Sequence, residues 1–361
     1  MNRAHNFNAG PAALPAEVLE KAKEELLNFE ETGMSVMELS HRSKEYDNVH
    51  NKAISLLKEL LNVPEDYEVI LLQGGASLQF SMIPMNFLKS GETANYILTG
   101  SWSEKALKEA KILGETKTGA SSKETNYDRI PELSEIDIDP KDSYVHLTTN
   151  NTIFGTQWPS FEFDWDTPVM ADMSSDILCR PIPLEKFSLI YAGAQKNLGP
   201  SGVTVVILKK SLLEKIPDDI PTLLKYDTHT KSNSLYHTPP TFGIYMLKNV
   251  LEWIQEHGGL EGMEKRNKEK ADILYKAIDE SDGFYKGHAD KDSRSLMNVT
   301  FNLPNDELNK LFLKQAKERN MIGLNGHRSV GGCRASIYNA VSLESCKALR
   351  DFMLEFQQQH G

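Results

Sequence analysis

Cysteine is scarce in this sequence. The three cysteines, Cys179, Cys333 and Cys346, lie far apart in a chain of 361 residues. They form neither a Cys-x-x-Cys pair nor an even-numbered disulfide framework, so the sequence predicts no metal site and no disulfide scaffold. A few unpaired thiols are typical of proteins from reducing compartments, and we therefore expect a cytoplasmic protein.

Long apolar runs and an excess of basic residues are also missing. The first 15 residues contain no apolar stretch of the kind that a signal peptide carries, and no run is long enough to span a bilayer. The chain has 40 Lys and Arg residues against 51 Asp and Glu, a net charge of −11. Because nucleic-acid binding depends on Lys and Arg that neutralise phosphates, we expect neither nucleic acid nor membrane as a partner.

Short apolar runs are the main structural signal. They are continuous rather than alternating, which is typical of strands that are buried on both faces of a mostly parallel sheet. Helical patterns separate several of them, so the sequence predicts an α/β fold. The runs cover residues 68–72, 94–98, 143–148, 169–172, 189–193 and 203–208.

The length of the chain favours two domains. Helical periodicity dominates from about Thr241, with one further strand candidate at residues 298–302, and the Gly258-Gly259 pair interrupts it. We therefore predict a large domain of mostly parallel sheet over residues 16–256. A smaller α+β domain covers residues 257–361, and an arm of residues 1–15 precedes both.

Lys196 follows one of the predicted strands, in the segment Ala-Gly-Ala-Gln-Lys-Asn-Leu-Gly-Pro. A lysine held in a partly desolvated cleft has a lowered pKa, and only its neutral amine can attack an aldehyde to form a Schiff base. A surface lysine in a loop is the more common outcome of such spacing. Taken alone, the segment leaves both interpretations open.

Asp172 ends the preceding strand candidate and offers a partner for that lysine. A buried carboxylate keeps the ring nitrogen of pyridoxal phosphate protonated, so an acid and a lysine at neighbouring strand ends could flank one ring. A helix cap or a turn would explain the aspartate equally well.

Further candidates also follow predicted strands. The segment Gln73-Gly74-Gly75-Ala76-Ser77 precedes a helix, where glycines and free N–H groups favour an anion, although a turn capped by Ser77 is the common alternative. It matches neither the Walker A nor the G-x-G-x-x-G pattern, which disfavours a nucleotide-binding module. Trp102 could stack on a flat ring or simply fill a core. Ligands of open α/β sheets bind at the carboxyl ends of strands. The fact that all these candidates lie at such ends therefore indicates a binding site more strongly than any single motif does.

Basic residues cluster at two glycine- or serine-rich sites. One is His41-Arg42, and the other is His327-Arg328 with Arg334. Arginine binds carboxylate and phosphate bidentately, so these residues would suit a substrate with an α-carboxylate and a distal phosphate. Surface charges or ion pairs between domains are the alternative.

Taken together, these segments resemble the phosphoserine aminotransferase family, which belongs to the class-V aminotransferases of fold type I. The resemblance runs from one end of the chain to the other and is carried by residues 7–12, 35–45, 73–80, 192–200, 237–242 and 326–332. Its specificity comes from the combination, since none of the segments would suffice alone.

The resemblance implies a cofactor site for pyridoxal phosphate. Lys196 would carry the Schiff base, Asp172 would pair with the pyridine nitrogen, and Trp102 would stack on the ring. Further contacts would come from Ala76, Ser77, Thr152 and Gln195, and from His237 and Thr238 of a neighbouring subunit. Some members of the family have Asn where this chain has His237. A site shared between chains implies a homodimer.

The resemblance also implies the substrates. Arg42 and Arg334 would bind the substrate carboxylate, and His41, His327 and Arg328 its phosphate. The implied reaction transfers an amino group from L-glutamate to 3-phosphooxypyruvate and gives O-phospho-L-serine and 2-oxoglutarate, a step of serine biosynthesis. A related reaction would give 4-phosphooxy-L-threonine for pyridoxine biosynthesis.

Two other classes of function remain open at this stage. One is a different reaction of the same fold, either a desulfurase with a reactive cysteine or an alanine–glyoxylate type of transaminase. The other is a protein that binds pyridoxal phosphate without turnover. The Lys196–Asp172 pair argues against the second, and the His327-Arg328 phosphate set argues against the alanine–glyoxylate reaction.

Overall fold

A seven-stranded sheet forms the centre of the larger part of the molecule, and it is seen in a computed structural model that describes residues 3–361. Six strands run in one direction, and the remaining strand, β7, is antiparallel to both of its neighbours. The order across the sheet is β1-β7-β6-β5-β4-β2-β3. The strands are β1 (Tyr67–Leu72), β2 (Thr93–Leu98), β3 (Glu115–Ser121), β4 (Tyr144–Thr148), β5 (Val169–Asp172), β6 (Leu189–Gly193) and β7 (Thr204–Lys209).

The prediction of a mostly parallel α/β fold is therefore confirmed. All six predicted strands are present, and β4, β5 and β6 are buried at every residue, as their continuous apolar runs indicated. Strand β3 was not predicted. It lies at the edge of the sheet, and its polar sequence, Glu-Thr-Lys-Thr-Gly-Ala-Ser, carries no apolar run because most of its residues are at least partly exposed.

Helices cover the sheet, and their bounds follow the apolar periodicity closely. The N-terminal and connecting helices are α1 (Ala16–Glu24), α2 (Lys44–Leu60), α3 (Gly75–Phe87), α4 (Ser101–Leu113), α5 (Lys210–Leu213), α6 (Tyr226–Lys231) and α7 (Thr241–Glu256). The apolar spacing of Val18, Leu19, Ala22, Leu26 and Leu27 predicts a first helix that includes the last two, and this prediction is wrong. The chain leaves α1 after Glu24 and turns, with the Asn28 side chain accepting a hydrogen bond from the Gly33 amide, and Leu27 stays 83% exposed.

The C-terminal part of the chain forms a second layer with its own apolar cluster. It contains helices α8 (Gly259–Asp279), α9 (Asp306–Glu318) and α10 (Leu343–His360). They pack on a three-stranded antiparallel sheet of β8 (Lys286–Gly287), β9 (Asn298–Asn302) and β10 (Cys333–Ser336).

Phe7 and Ala13 of the N-terminal arm join this second cluster rather than the cores around the large sheet. The separate clusters are consistent with two domains, but Leu260 and Met263, which follow the predicted boundary, belong to a core around the large sheet. The division into residues 16–256 and 257–361 stays a prediction. Met1 and Asn2, the first residues of the predicted arm, lie outside the described residues. In residues 3–361 no helix has both the length and the apolar character that crossing a bilayer requires.

The sheet brings the candidate residues to one edge. Strands β1, β2, β4, β5 and β6 all point the same way, so their carboxyl ends lie side by side. The segments that carry Ser77, Trp102, Thr152, Asp172 and Lys196 each begin at one of those ends. This arrangement fixes their mutual position through backbone pairing.

Gly74, at the junction of β1 and α3, gives the first testable prediction. Its φ is +90°, and a Cβ atom there would lie 2.4 Å from Leu78 Cδ2 and 2.9 Å from Leu78 Cβ. Gly91 has a similar φ of +83° with nothing within 4 Å. We expect Gly91→Ala to lower the free energy of unfolding by about 1–2 kcal/mol through backbone strain. Gly74→Ala should cost about 1–3 kcal/mol more because of the clash. Equal losses in denaturant titrations would contradict this packing.

Candidate active site

A cavity of about 500 Å³ lies at the carboxyl ends of the strands. Residues from both ends of the chain line it, so the N-terminal arm and the C-terminal layer close it from outside. Seven of the predicted cofactor residues face this space, namely Ala76, Ser77, Trp102, Thr152, Asp172, Gln195 and Lys196. Of the predicted substrate residues, His327 and Arg334 also line it.

Lys196 follows β6 and extends into the cavity. Its Nζ donates a hydrogen bond to Thr152 Oγ1 at 2.9 Å. The side chain is partly accessible because it lines the cavity, but protein encloses the amine, and this burial lowers the pKa to about 8. Asp172 and Asp176 oppose that shift through their negative charge. A substantial fraction of the amine is therefore neutral at mildly alkaline pH, as a nucleophile requires.

Asp172, the last residue of β5, lies 5% exposed at the base of the cavity. Burial raises the pKa of its carboxyl group, while hydrogen bonds from Ser174 and the positive charge of Lys196 counteract the rise. The Ser174 amide donates to Oδ1 at 2.9 Å. This hydrogen bond is one that an aspartate in a turn makes, as the alternative interpretation of Asp172 predicts. A turn alone does not require the carboxylate to line a cavity beside a buried amine, as the Asp172 carboxylate does.

Helix α3 begins directly at the wall of the cavity. Gly74 is its N-cap, and no side chain within residues 3–361 accepts a hydrogen bond in the capping position. The interpretation of Ser77 as the cap is therefore wrong. The N–H groups of the first turn, which have no intrahelical partner, remain available to an anion at a helix end that carries partial positive charge.

Trp102, in the first turn of α4, lies beside the lysine. Its ring centroid is 6.0 Å from Lys196 Nζ, and its indole Nε1 is buried without a hydrogen-bond partner in the described chain. Lys105, one turn further along α4, places its Nζ 4.1 Å from the same ring and lines the cavity. Lys105 was not among the predicted site residues, although it follows Trp102 by three positions and therefore lies on the same face of the helix.

The N-terminal arm, for which the sequence predicted no role in the site, forms another part of the cavity wall. Residues 9–11 line the cavity. The Ala12 amide donates to Gln195 O at 2.8 Å, and Tyr338 Oη donates to Ala9 O at 2.8 Å. These contacts join the arm to the lysine segment and to the C-terminal layer. No local sequence pattern indicates them, because they depend on pairing across more than 180 residues.

Two basic residues face the cavity from the C-terminal side. Arg334 lies on β10, and its Nη1 donates to Thr152 O at 3.1 Å. His327 lies in the loop before β10. Burial lowers its pKa, and the charges of Arg334, Arg328 and Lys105 lower it further. The mouth of the cavity is therefore a site of concentrated positive charge in an acidic protein.

Five predicted site residues do not line the cavity of a single chain. His41 and Arg42 lie in the segment before α2, and Arg328 is exposed next to His327. The segment Gln73–Ser77 at the start of α3 is called the anion cup below. His237 and Thr238 lie beside it, where the Gln73 amide donates to His237 Nε2 at 2.9 Å and to Thr238 O at 3.3 Å. One chain alone therefore supplies only part of the predicted set.

The residues that are present fit pyridoxal phosphate. The first turn of α3 offers N–H groups for a phosphate, and the cavity volume suits a ligand of this size. Trp102 offers a flat ring face, and its buried indole Nε1 has no hydrogen-bond partner within residues 3–361. Asp172 supplies a buried carboxylate for a protonated ring nitrogen, and Lys196 supplies an amine for the aldehyde.

Comparisons with known proteins agree with this geometry. The family model of class-V aminotransferases matches residues 4–349. Phosphoserine aminotransferase from Halalkalibacterium halodurans is 66% identical over 360 residues, with 100% of both chains covered. The solved phosphoserine aminotransferase from Bacillus circulans subsp. alkalophilus is 57% identical, with 99% of both chains covered and a TM-score of 0.98.

A more distant relative is a PLP-bound phosphoserine aminotransferase structure from Trichomonas vaginalis. It is 39% identical, with 98% of this chain and 100% of that chain covered and a TM-score of 0.93. From these matches and from the cavity that joins Lys196, Asp172 and the anion cup, it follows that the chain belongs to the phosphoserine aminotransferase family of class-V aminotransferases and is a pyridoxal-phosphate-dependent aminotransferase.

Proposed function

We propose that this enzyme transfers the amino group of L-glutamate to 3-phosphooxypyruvate, giving O-phospho-L-serine and 2-oxoglutarate in serine biosynthesis. It would also form 4-phosphooxy-L-threonine for pyridoxine biosynthesis. The observation that carries the proposal is the cavity in which the Lys196 amine and the Asp172 carboxylate lie beside an anion cup, with Arg334 and His327 at its mouth. The three free, buried cysteines support a cytoplasmic enzyme.

The residues around the cavity divide into groups that would hold different parts of the cofactor. The amides at Ala76 and Ser77 would bind its phosphate, and Trp102 would stack on its ring. Thr152 and Gln195 would contact the ring edge. Asp172 would pair with the ring nitrogen, because a carboxylate at that depth is stabilised by a positive partner.

Bound pyridoxal phosphate supplies an electron sink for the carbanion that forms at the substrate's α-carbon. Lys196 would first hold the cofactor covalently. After an incoming amino acid displaces it, its free amine would take the α-proton as a general base and return a proton as a general acid. Its lowered pKa suits both roles, since the amine can be neutral and protonated in turn near physiological pH.

Substrate recognition would depend on the positive charge at the mouth. Arg334, whose guanidinium is held by its hydrogen bond to Thr152 O, would bind the α-carboxylate. His327 would contact the distal group, which is a phosphate in one substrate and a carboxylate in glutamate. Both distal groups are anionic, so one basic set can serve both half-reactions.

The active site would be completed by a second copy of the chain. His41, Arg42, Arg328, His237 and Thr238 are assigned to the site by the family resemblance, yet none lines the cavity of one chain. The segment that precedes His41 and Arg42 carries exposed apolar side chains, among them Leu27, Met34 and Met37, which support an interface there, because large apolar groups on a surface are often covered by a partner. We therefore propose a homodimer with shared sites.

A desulfurase finds no support in the cysteines. Cys179, Cys333 and Cys346 are all buried, and burial raises the pKa of each thiol. Cys333 precedes Arg334, but its side chain belongs to the apolar cluster of the C-terminal layer. A thiol that is neutral and enclosed is a poor nucleophile.

Lys196→Ala tests the assignment of the cofactor lysine. We expect the variant to lose both turnover and the visible absorbance that the covalently held cofactor gives, because Lys196 is the buried amine that Thr152 and the charge of Asp172 surround. Lys111→Ala, a change on the exposed side of α4, serves as the control and should keep both. A Lys196→Ala variant that stayed coloured and active would refute the proposed role.

The pH dependence of cofactor loading tests the pKa of Lys196. Only the neutral amine attacks the aldehyde, so the rate of loading cofactor-free protein should rise with pH through a midpoint near 8. Since the negative charge of Asp172 raises the pKa of Lys196, Asp172→Asn should move the midpoint to lower pH. A midpoint near the ordinary lysine value of 10.5 would contradict the buried environment.

Mixed dimers test the shared site. Lys196→Ala and Arg42→Ala variants should each be nearly inactive alone. After co-expression, hybrid dimers would contain one site with both residues intact, and about a quarter of all sites should regain activity if the two residues come from different chains of a two-fold dimer. Hybrids without activity would show that Lys196 and Arg42 serve the same site from the same chain.

A further inference from the structure

Lys270 of helix α8 is buried completely inside the C-terminal layer. Its side chain is 0% exposed, although lysine is seldom fully buried because its ammonium group loses its hydration. The proposed reaction does not use this residue, since it does not line the cavity. The role of such a costly side chain must therefore be found in what its hydrogen bonds hold.

The Lys270 amine binds the backbone that directly follows β10. Its Nζ donates to Ile337 O at 2.8 Å and to Tyr338 O at 2.7 Å. Burial lowers the pKa of Lys270 to about 7. The neutral amine and the ammonium both carry enough N–H groups to serve two carbonyls. This backbone is therefore held from the side of α8 on either side of neutral pH.

Asn267, one turn earlier on the same face of α8, holds the next residue of the chain. Its Nδ2 donates to Asn339 Oδ1 at 2.8 Å, and the Asn339 amide donates to Asn197 Oδ1 at 3.0 Å. Asn197 is the residue that follows the cofactor lysine. Helix α8 thus fixes three consecutive residues after β10, and the last of them contacts the lysine segment.

The same three residues hold the N-terminal arm through a tyrosine. Tyr338 is 0% exposed, and its Oη donates to Ala9 O at 2.8 Å. The Asn298 side chain donates to this phenol oxygen at 3.2 Å. A phenol has a single O–H group, and Asn298 occupies the oxygen as a donor, so the Tyr338 proton is directed to the Ala9 carbonyl.

The arm lies directly against the side chain of the cofactor lysine. Residues 9–11 line the cavity. A Cβ atom at Gly10 would lie 3.8 Å from Lys196 Cγ and 3.9 Å from Lys196 Cε, which is ordinary contact distance. The Gly10 backbone is therefore the neighbour of this side chain from Cγ to Cε, and it limits the directions in which the lysine can swing.

We propose that Lys270 and Tyr338 are positioning residues that hold the N-terminal arm against Lys196, so that the lysine amine stays aligned with the substrate's α-carbon during proton transfer. Both act through the arm, since neither lines the cavity. A loosened arm would let the lysine side chain sample more rotamers, and fewer of these would place Nζ within reach of the proton. The inference rests on the proposed function, to which this proton transfer belongs.

Tyr338→Phe in the holoenzyme is the direct test, because it removes only the hydroxyl group that binds Ala9 O. Tyr285→Phe is the matched control. Tyr285 is 2% exposed and donates from its Oη to Met353 O at 2.7 Å, and both of these residues belong to the apolar cluster of the C-terminal layer. Each variant loses one buried hydrogen bond to a carbonyl, so the difference between the two variants isolates the effect of the arm.

The glutamate half-reaction separates proton transfer from binding. In Tyr338→Phe, the rate constant at saturating glutamate should fall about 3- to 10-fold, as expected for the loss of one hydrogen bond. The glutamate concentration that gives half the maximal rate should change less than about 2-fold, because Arg334 and His327 keep their charges. Glutamate deuterated at the α-carbon should slow the variant more than the wild type. Tyr285→Phe should match the wild type in all three measurements.

Amide hydrogen exchange tests whether the arm carries the effect. The Ala12 amide donates to Gln195 O at 2.8 Å, and its exchange should be faster in Tyr338→Phe than in Tyr285→Phe. Lys270→Met removes both hydrogen bonds to the backbone after β10 and should change the rate constant and the exchange in the same direction. If Lys270→Met does not fold, Lys270→Gln is the milder variant and should give a smaller change of the same sign.

The inference is overturned if Tyr338→Phe matches Tyr285→Phe in either the rate constant or the exchange. It is also overturned if the slower reaction of Tyr338→Phe comes only from a higher half-saturating glutamate concentration. The role of Lys270 is refuted if a folded Lys270 variant behaves like the wild type. If instead glutamate leaves the spectrum of the wild-type holoenzyme unchanged, the proposed function itself fails.

Discussion

The whole site depends on keeping two opposite charges, the Lys196 ammonium and the Asp172 carboxylate, away from bulk water at neighbouring strand ends. Burial disfavours the charged form of each, which appears as a lowered pKa for the lysine and a raised pKa for the aspartate. Neither group forms a direct ion pair with the other in the described chain. Their mutual stabilisation is therefore partial, and the space between them suits a ligand that satisfies both.

The parallel sheet makes this arrangement possible. Backbone pairing of β5 with β6 fixes the separation of Asp172 from the start of the lysine segment, and the helices that follow β1 and β2 bring the anion cup and Trp102 to the same edge. The site is then closed by distant parts of the chain. Arg334 contacts Thr152 O from the C-terminal layer, and the arm contacts Gln195, so segments that are distant in sequence meet at the cavity.

Much of the fold could be predicted from the sequence because its strands are buried on both faces. Such strands give continuous apolar runs, and β5, β6 and β9 have the predicted bounds. The edge strand β3 could not be predicted, because its sequence is polar and most of its residues are at least partly exposed. Likewise, Leu26 and Leu27 are apolar without being buried in a helix, since the chain turns away before them.

The residues of the site likewise divide into those that the sequence could predict and those that it could not. Lys196, Asp172 and Ser77 could be placed because each follows a recognisable strand. Lys105 and the arm were missed, since the first needs the exposed face of α4 to turn toward the cavity and the second needs a long-range contact. The positions of His41 and Arg42 relative to the cavity could not be derived either, because neither residue follows a predicted strand.

The hydrogen bond between His146 Nε2 and Tyr191 Oη, 2.9 Å long, could not be read from the sequence for a related reason. Both residues look like ordinary members of buried strands, and their contact depends on the register of three strands. Polar groups inside a sheet therefore carry information that hydrophobic patterns omit.

We propose that one basic mouth above the Lys196–Asp172 pair accepts glutamate and a phosphorylated oxo-acid in turn. The most direct measurement follows the visible spectrum of the holoenzyme during single half-reactions. Glutamate should convert the bound cofactor to its amino form, and 3-phosphooxypyruvate should restore the original spectrum, whereas pyruvate at equal concentration should not. Equal restoration by pyruvate, or indifference to the phosphorylated oxo-acid, would contradict the account of the substrate site and leave only the cofactor site standing.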